Sequence, residues 1–297
     1  MIKSIVLSGG NYLGLIELGL LQNLLEQKFL KIDEIEKLYG TSIGGFVCTL
    51  LCLNIHFDDL CEYFEKRPWH KILDLDQSVF TDFFFKKGII KKEIFEKTFK
   101  NLLESVNLSL NITLKEFYDY SKKELHLFSI RISDFTLTDI SYKTHPELHL
   151  IDAVFMTCSL PFIFQPISYE NEYYIDGGLL CNCPLEYALE NSEHSEVLCI
   201  MFSYDTRDGH KNFFTNFEEK NVIEYNFYLY LTILQKMYKF VKAPDKVTQI
   251  IVETEHTNLQ HAVDALFNSD ERVKYINIGK KIASDFLLKK EKNYISK

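Results

Sequence analysis

The chain reads as an α/β protein with a mostly parallel sheet covered by helices, and three observations predict it. Short buried-strand patterns and apolar helix patterns alternate through the first 54 residues, and parallel strands need helical crossovers of that kind. Apolar residues make up 46% of the chain and aromatic residues 14%, which fills a sizeable core and excludes a disordered protein. A length of 297 residues suits one large α/β domain or two small ones.

In chain order, Ile5 to Leu7 is a short buried strand, and Gly14 to Lys28 is a helix that is apolar on most faces. Glu34 to Tyr39 is a second strand, and Ser42 to Asn54 is a second apolar helix. Phe80 to Lys115 is expected to be helical and partly solvated, with lysines along one side. Leu125 to Ile132 alternates as a strand does, and Ile151 to Cys158 is a helix stopped by Leu160-Pro161. Tyr173 to Ile175 leads as a strand into Asp176-Gly177-Gly178, and Glu196 to Phe202 is a further buried strand. An aromatic helix near 221–241, a strand near 247–253 and terminal helices complete the pattern. The expected organisation is a principal domain over 1–204 with a mostly helical extension over 205–297 packed on it.

Charge and cysteine usage narrow the function. The net charge is −9 with no strong basic stripe. A nucleic-acid binder needs a basic excess to neutralise phosphate, so that class is excluded. An acidic chain also gains no general attraction to an anionic membrane, so any membrane contact has to be apolar and local. The segment Met1 to Leu7 is too short to act as a signal peptide before Ser8-Gly9-Gly10 breaks it. No apolar run approaches membrane-spanning length. A soluble, cytoplasmic chain is expected. Seven cysteines are an odd number, and Cys181 and Cys183 lack the spacing of a zinc or redox motif. They read as buried thiols in a reducing compartment.

Three short motifs carry chemistry. Ser8-Gly9-Gly10-Asn11-Tyr12-Leu13-Gly14 joins the first strand to the first helix. Glycines there permit positive φ and close approach, and free amides at a helix start suit an anion. The pattern lacks the middle glycine of a dinucleotide fingerprint and the Lys-Ser/Thr end of a P-loop. Gly40-Thr41-Ser42-Ile43-Gly44 matches Gly-x-Ser-x-Gly in a strand–turn–helix setting, which is the context that exposes a nucleophilic serine. Gly40 and Gly44 flank Ser42 because the tight turn leaves no room for side chains. Asp176 ends an apolar strand ahead of two glycines and stands exposed at a sharp turn. None of the nine histidines has a distinctive setting, so a carboxylate is the better base for Ser42.

The three motifs in this order resemble the patatin-like phospholipase family. So do Thr157-Cys158-Ser159-Leu160-Pro161, Phe164-Gln165-Pro166, Asn182 and Pro184. The likeness runs from about Ile2 to Tyr204. It implies a three-layer α/β sandwich with 1–204 as the catalytic domain, a Ser42–Asp176 dyad, and ester hydrolysis on lipid without metal, histidine or cofactor. It also implies an oxyanion hole from the amides of Gly9, Gly10 and Asn11. Two positions depart from the family pattern: Asn11 replaces a glycine, and Leu13 replaces the usual basic residue. Asparagine tolerates positive φ, so the turn can survive. The altered loop leaves open a lipid-binding protein of the same fold with weak or no turnover. An esterase for small soluble esters is the other alternative. The aromatic run Phe213 to Val241 is expected to border the acyl-binding mouth and to face lipid, because amphipathic side chains favour a membrane interface.

Overall fold

The computed structural model describes residues 1–72, 79–205, 218, 221–237, 241–255 and 259–295. The chain opens with β1 (Ser4–Leu7), α1 (Gly14–Glu26), β2 (Lys37–Thr41), α2 (Ile43–Leu51) and α3 (Phe57–Lys66). There follow α4 (Val79–Lys86), β3 (Gly88–Ile90), α5 (Glu93–Ser105), α6 (Leu114–Ser121), β4 (Glu124–Arg131) and β5 (Thr136–Ile140). Next come α7 (Leu150–Cys158), β6 (Phe162–Phe164), β7 (Ile167–Tyr169), β8 (Glu172–Asp176), α8 (Leu185–Asn191) and β9 (Val197–Asp205). The chain closes with α9 (Val222–Met237), β10 (Thr248–Glu255), α10 (Leu259–Phe267) and α11 (Ser269–Ile295).

The eight-stranded sheet has the order β10-β9-β1-β2-β4-β8-β7, with β5 also paired to β4. The pairings from β10 through β4 are parallel. Those of β5, β8 and β7 are antiparallel. Alternation along the strands feeds two cores. Ile5, Leu7, Leu38, Leu198, Ile200 and Phe202 enter the large core under the helices. Their neighbours Val6, Tyr39, Val197, Cys199 and Met201 face the other way, against Leu185 and Ala188 of α8. The three layers are therefore unequal, since one face lies under most of the helices and the other under α8. Period-two placement on a sheet covered on both faces explains why these strands read as continuous apolar runs.

The single helix expected over Phe80 to Lys115 is instead α4, β3, α5 and the start of α6. The breaks have local causes. Lys87 sits at φ 66° and Asn107 at φ 58°, where helices terminate. Between them β3 pairs in parallel with β6. Thr113 starts α6 with a reciprocal capping box to Glu116. Among the described residues no helix is long and apolar enough to cross a membrane.

Candidate active site

Ser42 lies between β2 and α2 at φ 55° and ψ −129°. A non-glycine residue in that region stores backbone strain, which the surroundings must hold in place. They do so by close packing. A Cβ on Gly40 would lie 2.5 Å from the Gly45 backbone, and one on Gly44 would lie 2.5 Å from the Leu7 carbonyl oxygen. The Ser42 amide donates to Thr157 Oγ1 at 2.9 Å. The Thr157 hydroxyl in turn donates to the Phe128 carbonyl at 2.6 Å. The positive end of the α2 dipole points at this turn and favours negative charge there.

Asp176 reaches Ser42 through the register of β4. Thr41 of β2 pairs with Phe128, and Asp176 of β8 pairs with Ser129. β5 occupies the opposite edge of β4 along Leu127 to Arg131. β2 and β8 therefore share one edge of β4 end to end, one parallel and one antiparallel, and their C-terminal ends converge. The Asp176 amide donates to the Ser159 carbonyl at 3.0 Å. Its Oδ1 accepts from the Gly178 amide at 2.7 Å. Asp176 is only 2% exposed, not exposed as the turn suggested from sequence, because Gly177 lets the chain pack directly on the Phe128 backbone. Burial pushes its pKa up to about 7, against the hydrogen bonds from the Ser42 hydroxyl and the Gly178 amide, which favour the charged form.

The loop before α1 closes the third side. Asn11 takes φ 57°. The Gly9 amide donates to the Asn182 carbonyl at 2.9 Å, and Asn182 Nδ2 donates back to the Gly9 carbonyl at 3.0 Å. Gly9 is thus not an available anion donor, contrary to the expectation from sequence, because its N–H is spent on tying the loop to Asn182. The amides of Gly10 and Asn11 meet no acceptor among the described residues. Leu13, where the family usually has a basic residue, is 2% exposed and packs into the core. Thr41 Oγ1 donates to the Cys181 carbonyl at 2.9 Å, which fastens the segment after Asp176 to the elbow strand. Thr157 and Asn182 lie inside segments legible only as a resemblance, and nothing in their spacing announces these roles. His261, unremarkable in sequence, has its Nδ1 3.2 Å from the Tyr12 hydroxyl beside the loop.

Ser42, Asp176, Gly10 and Asn11 open onto one pocket of about 290 Å³ with largely apolar and aromatic walls. Of the aromatic run expected at its mouth, Phe213, Phe214 and Phe217 lie outside the described residues, as does the side chain of Phe227. From α9 it is Leu231 and Leu234 that line the pocket, while Tyr225 is exposed. Tyr230 packs edge-on against Phe162, with ring centroids 5.2 Å apart.

A serine on a strained strand–helix turn, a buried carboxyl in the same pocket and two amides without an acceptor among the described residues form a site suited to hydrolysis of apolar esters. A family model described as patatin-like phospholipase matches residues 5–189, and the chain belongs to that family. A probable lipid hydrolase of Invertebrate iridescent virus 6 is 25% identical over 260 residues, covering 84% of this chain and 88% of that protein. A triacylglycerol lipase of Arabidopsis thaliana is 28% identical over 167 residues, covering 54% of this chain and 20% of the relative. The crystal structure of VipD from Legionella pneumophila shares the fold, with a TM-score of 0.57 at 17% identity. That match covers 96% of this chain and 66% of VipD.

Proposed function

We propose that the chain is a lipid acyl hydrolase in which Ser42 is the nucleophile and Asp176 is its base. The observation that carries this reading is the buried Asp176 carboxyl, which shares one pocket with Ser42 and is held near neutral pKa by burial. An ordinary aspartate is too weak a base for a hydroxyl, and burial brings it toward the working pH.

The Asp176 carboxylate takes the Ser42 proton as Oγ attacks the acyl carbonyl. Negative charge builds on the carbonyl oxygen, where the Gly10 and Asn11 amides donate. Such a donor contributes about 3 kcal/mol to the transition state. Collapse of the tetrahedral intermediate breaks the ester C–O bond, and the leaving alkoxide takes the proton from Asp176. Water then attacks the acyl-enzyme, gives its proton to Asp176 and releases the fatty acid, and Ser42 recovers its proton. The Gly9–Asn182 bonds and the Thr157 bond to the Ser42 amide hold donors and nucleophile in register.

The test is labelling by a fluorophosphonate ester probe alongside ester hydrolysis. Ser42→Ala should lose both and remain folded. Turnover retained in a folded Ser42→Ala protein would sink the mechanism.

A further inference from the structure

We propose that the pocket beside Ser42 is an acyl-chain ruler, blind at the end formed by Trp69 and Arg272, and that it measures chains of about ten to twelve carbons. This rests on the reading of Ser42 as the nucleophile, and the experiments below separate the two.

The direction of the pocket follows a ladder of aromatic rings. Phe46 stands one helical turn beyond Ser42 in α2 and contacts Phe64, with ring centroids 5.8 Å apart. Phe64 stacks on Trp69 at 5.3 Å. Phe46 also meets Phe95 at 5.8 Å, which adds a side wall from α5. Phe46, Phe64, Trp69 and Phe95 all line the same pocket as Ser42 and Asp176. The wall opposite the ladder comes from the C-terminal helices, through Leu234 of α9 and Ala265 of α10.

The far end is locked by Arg272 of α11, which is 5% exposed. Its Nε donates to the carbonyls of Phe64 and Glu65, and one terminal nitrogen donates to those of Glu65 and Arg67. The other terminal nitrogen donates to the carbonyls of Ala265 and Leu266. These oxygens belong to the C-terminal turns of α3 and α10, where carbonyls lack helical partners and carry the negative end of the dipole. One guanidinium thus joins the two helix ends across the pocket. Its N–H groups are all directed to backbone oxygens, so it offers none to a bound carboxylate. The Trp69 indole N–H is likewise committed, to the Phe64 carbonyl at 3.0 Å. A blind end with its donors spent suits a methyl terminus and rejects a polar group.

Volume sets the length. An apolar cavity of about 150 Å³ accepts a benzene ring, so a pocket of about 290 Å³ holds roughly twice that carbon count. Each methylene that enters should raise kcat/KM about three- to four-fold until the pocket is full. Longer chains must then leave carbons outside or displace the Arg272 clamp.

Two measurements test this on the full chain. The first is kcat/KM for p-nitrophenyl esters from acetate to stearate, below their micelle concentrations. We expect a steep rise to an optimum near decanoate and dodecanoate, then a fall. Ala265→Leu should move the optimum to shorter chains and Trp69→Phe to longer ones. A flat profile, or an optimum that neither variant moves, overturns the ruler while leaving the hydrolase reading intact. The second measurement does not depend on turnover. Trp69 is the only tryptophan in the chain, so its fluorescence reports on the blind end. Dodecanoic acid brominated at its terminal carbon should quench Trp69 in the Ser42→Ala protein, and dodecanoic acid brominated next to the carboxyl should not. Equal quenching by the two, or none by either, refutes the proposed orientation. Terminal-bromine quenching in a protein whose Ser42 proves dispensable would support the ruler and refute the nucleophile.

Discussion

Replacing Asp176 with asparagine should abolish hydrolysis and make the protein more stable at pH 8. The magnitude follows from burial. The carboxyl moves from an ordinary value of 3.8 to about 7, with desolvation as the largest cause. Each pKa unit corresponds to 1.36 kcal/mol, so about three units amount to about 4 kcal/mol. Because the folded value is the raised one, the folded state keeps its proton where the unfolded state has released it. Stability therefore falls as pH rises from about 4 to about 7, and above that window the whole penalty is present. Asparagine does not titrate and its Oδ1 can still accept from the Gly178 amide. At pH 8 the variant should gain up to about 4 kcal/mol, and at pH 4.5 the gain should shrink to about 1 kcal/mol. Thermal melts at the two pH values measure the gain, which for a chain of this size is a rise in Tm of about 5 to 10 °C at pH 8. The parent's kcat/KM should climb about tenfold per pH unit below 7 and level off above it, as a base that must be ionised requires. An active Asp176→Asn protein, or one whose stability relative to the parent is the same at both pH values, would refute the argument. A purely structural carboxylate would give the opposite sign, because its replacement would lower stability at pH 8.

The other predictions concern the frame around the dyad. Asn11→Gly should keep or raise turnover, whereas Asn11→Val places a β-branched residue at φ 57° and should lower kcat about 100-fold with little change in KM; equal kcat in folded Asn11→Val and parent proteins removes this loop from the oxyanion hole. Thr157→Val leaves the Ser42 amide and the Phe128 carbonyl without their partner, so it should cost about 1 to 3 kcal/mol in chemical denaturation and also lower kcat; unchanged kinetics would mean that the elbow holds itself. Glu17 of α1 is fully buried, and among the described residues neither of its carboxyl oxygens has a hydrogen-bond partner; burial raises its pKa well above the ordinary range. Its stability cost therefore grows as pH rises above about 4, and Glu17→Leu should stabilise the protein by about 1 to 3 kcal/mol at pH 8; a destabilised variant in melts at pH 8 would show that the carboxyl has a partner. Arg272→Met should lower stability by about 3 kcal/mol, since it strips the carbonyls at two helix ends of their donor; an unshifted melt would mean that the clamp is dispensable.

Much of the candidate site's frame was legible because it is local. Gly40 to Gly44 and the strand before it name the elbow through steric demands that act over five residues. β1, α1, β2 and α2 follow from apolar periodicity over similarly short spans, and the observed boundaries lie within a few residues of those expected. Asp176 was recognisable as the end of an apolar strand before two glycines. The breaks in the segment from Phe80 to Lys115 were also local, at Lys87-Gly88, Asn107 and the Thr113–Glu116 capping box. There the lysine-studded helical pattern outweighed short termination signals.

What the linear pattern could not decide depends on partners far away in the chain. Ser42 and Asp176 are 134 positions apart, and they meet because β4 accepts β2 and β8 head to head on one edge, a matter of register between strands. Gly9 and Gly10 look equivalent in sequence, yet Asn182, 173 positions away from Gly9, consumes one amide and leaves the other free. Arg272 reads as an ordinary charged residue of a terminal helix, and only packing shows its guanidinium buried against the end of a helix more than 200 positions upstream. Sequence determines what each short segment can do, because torsional and steric preferences act between neighbours. Tertiary structure alone decides which donors are left over for chemistry, because each backbone N–H can be spent on a partner brought from anywhere in the chain.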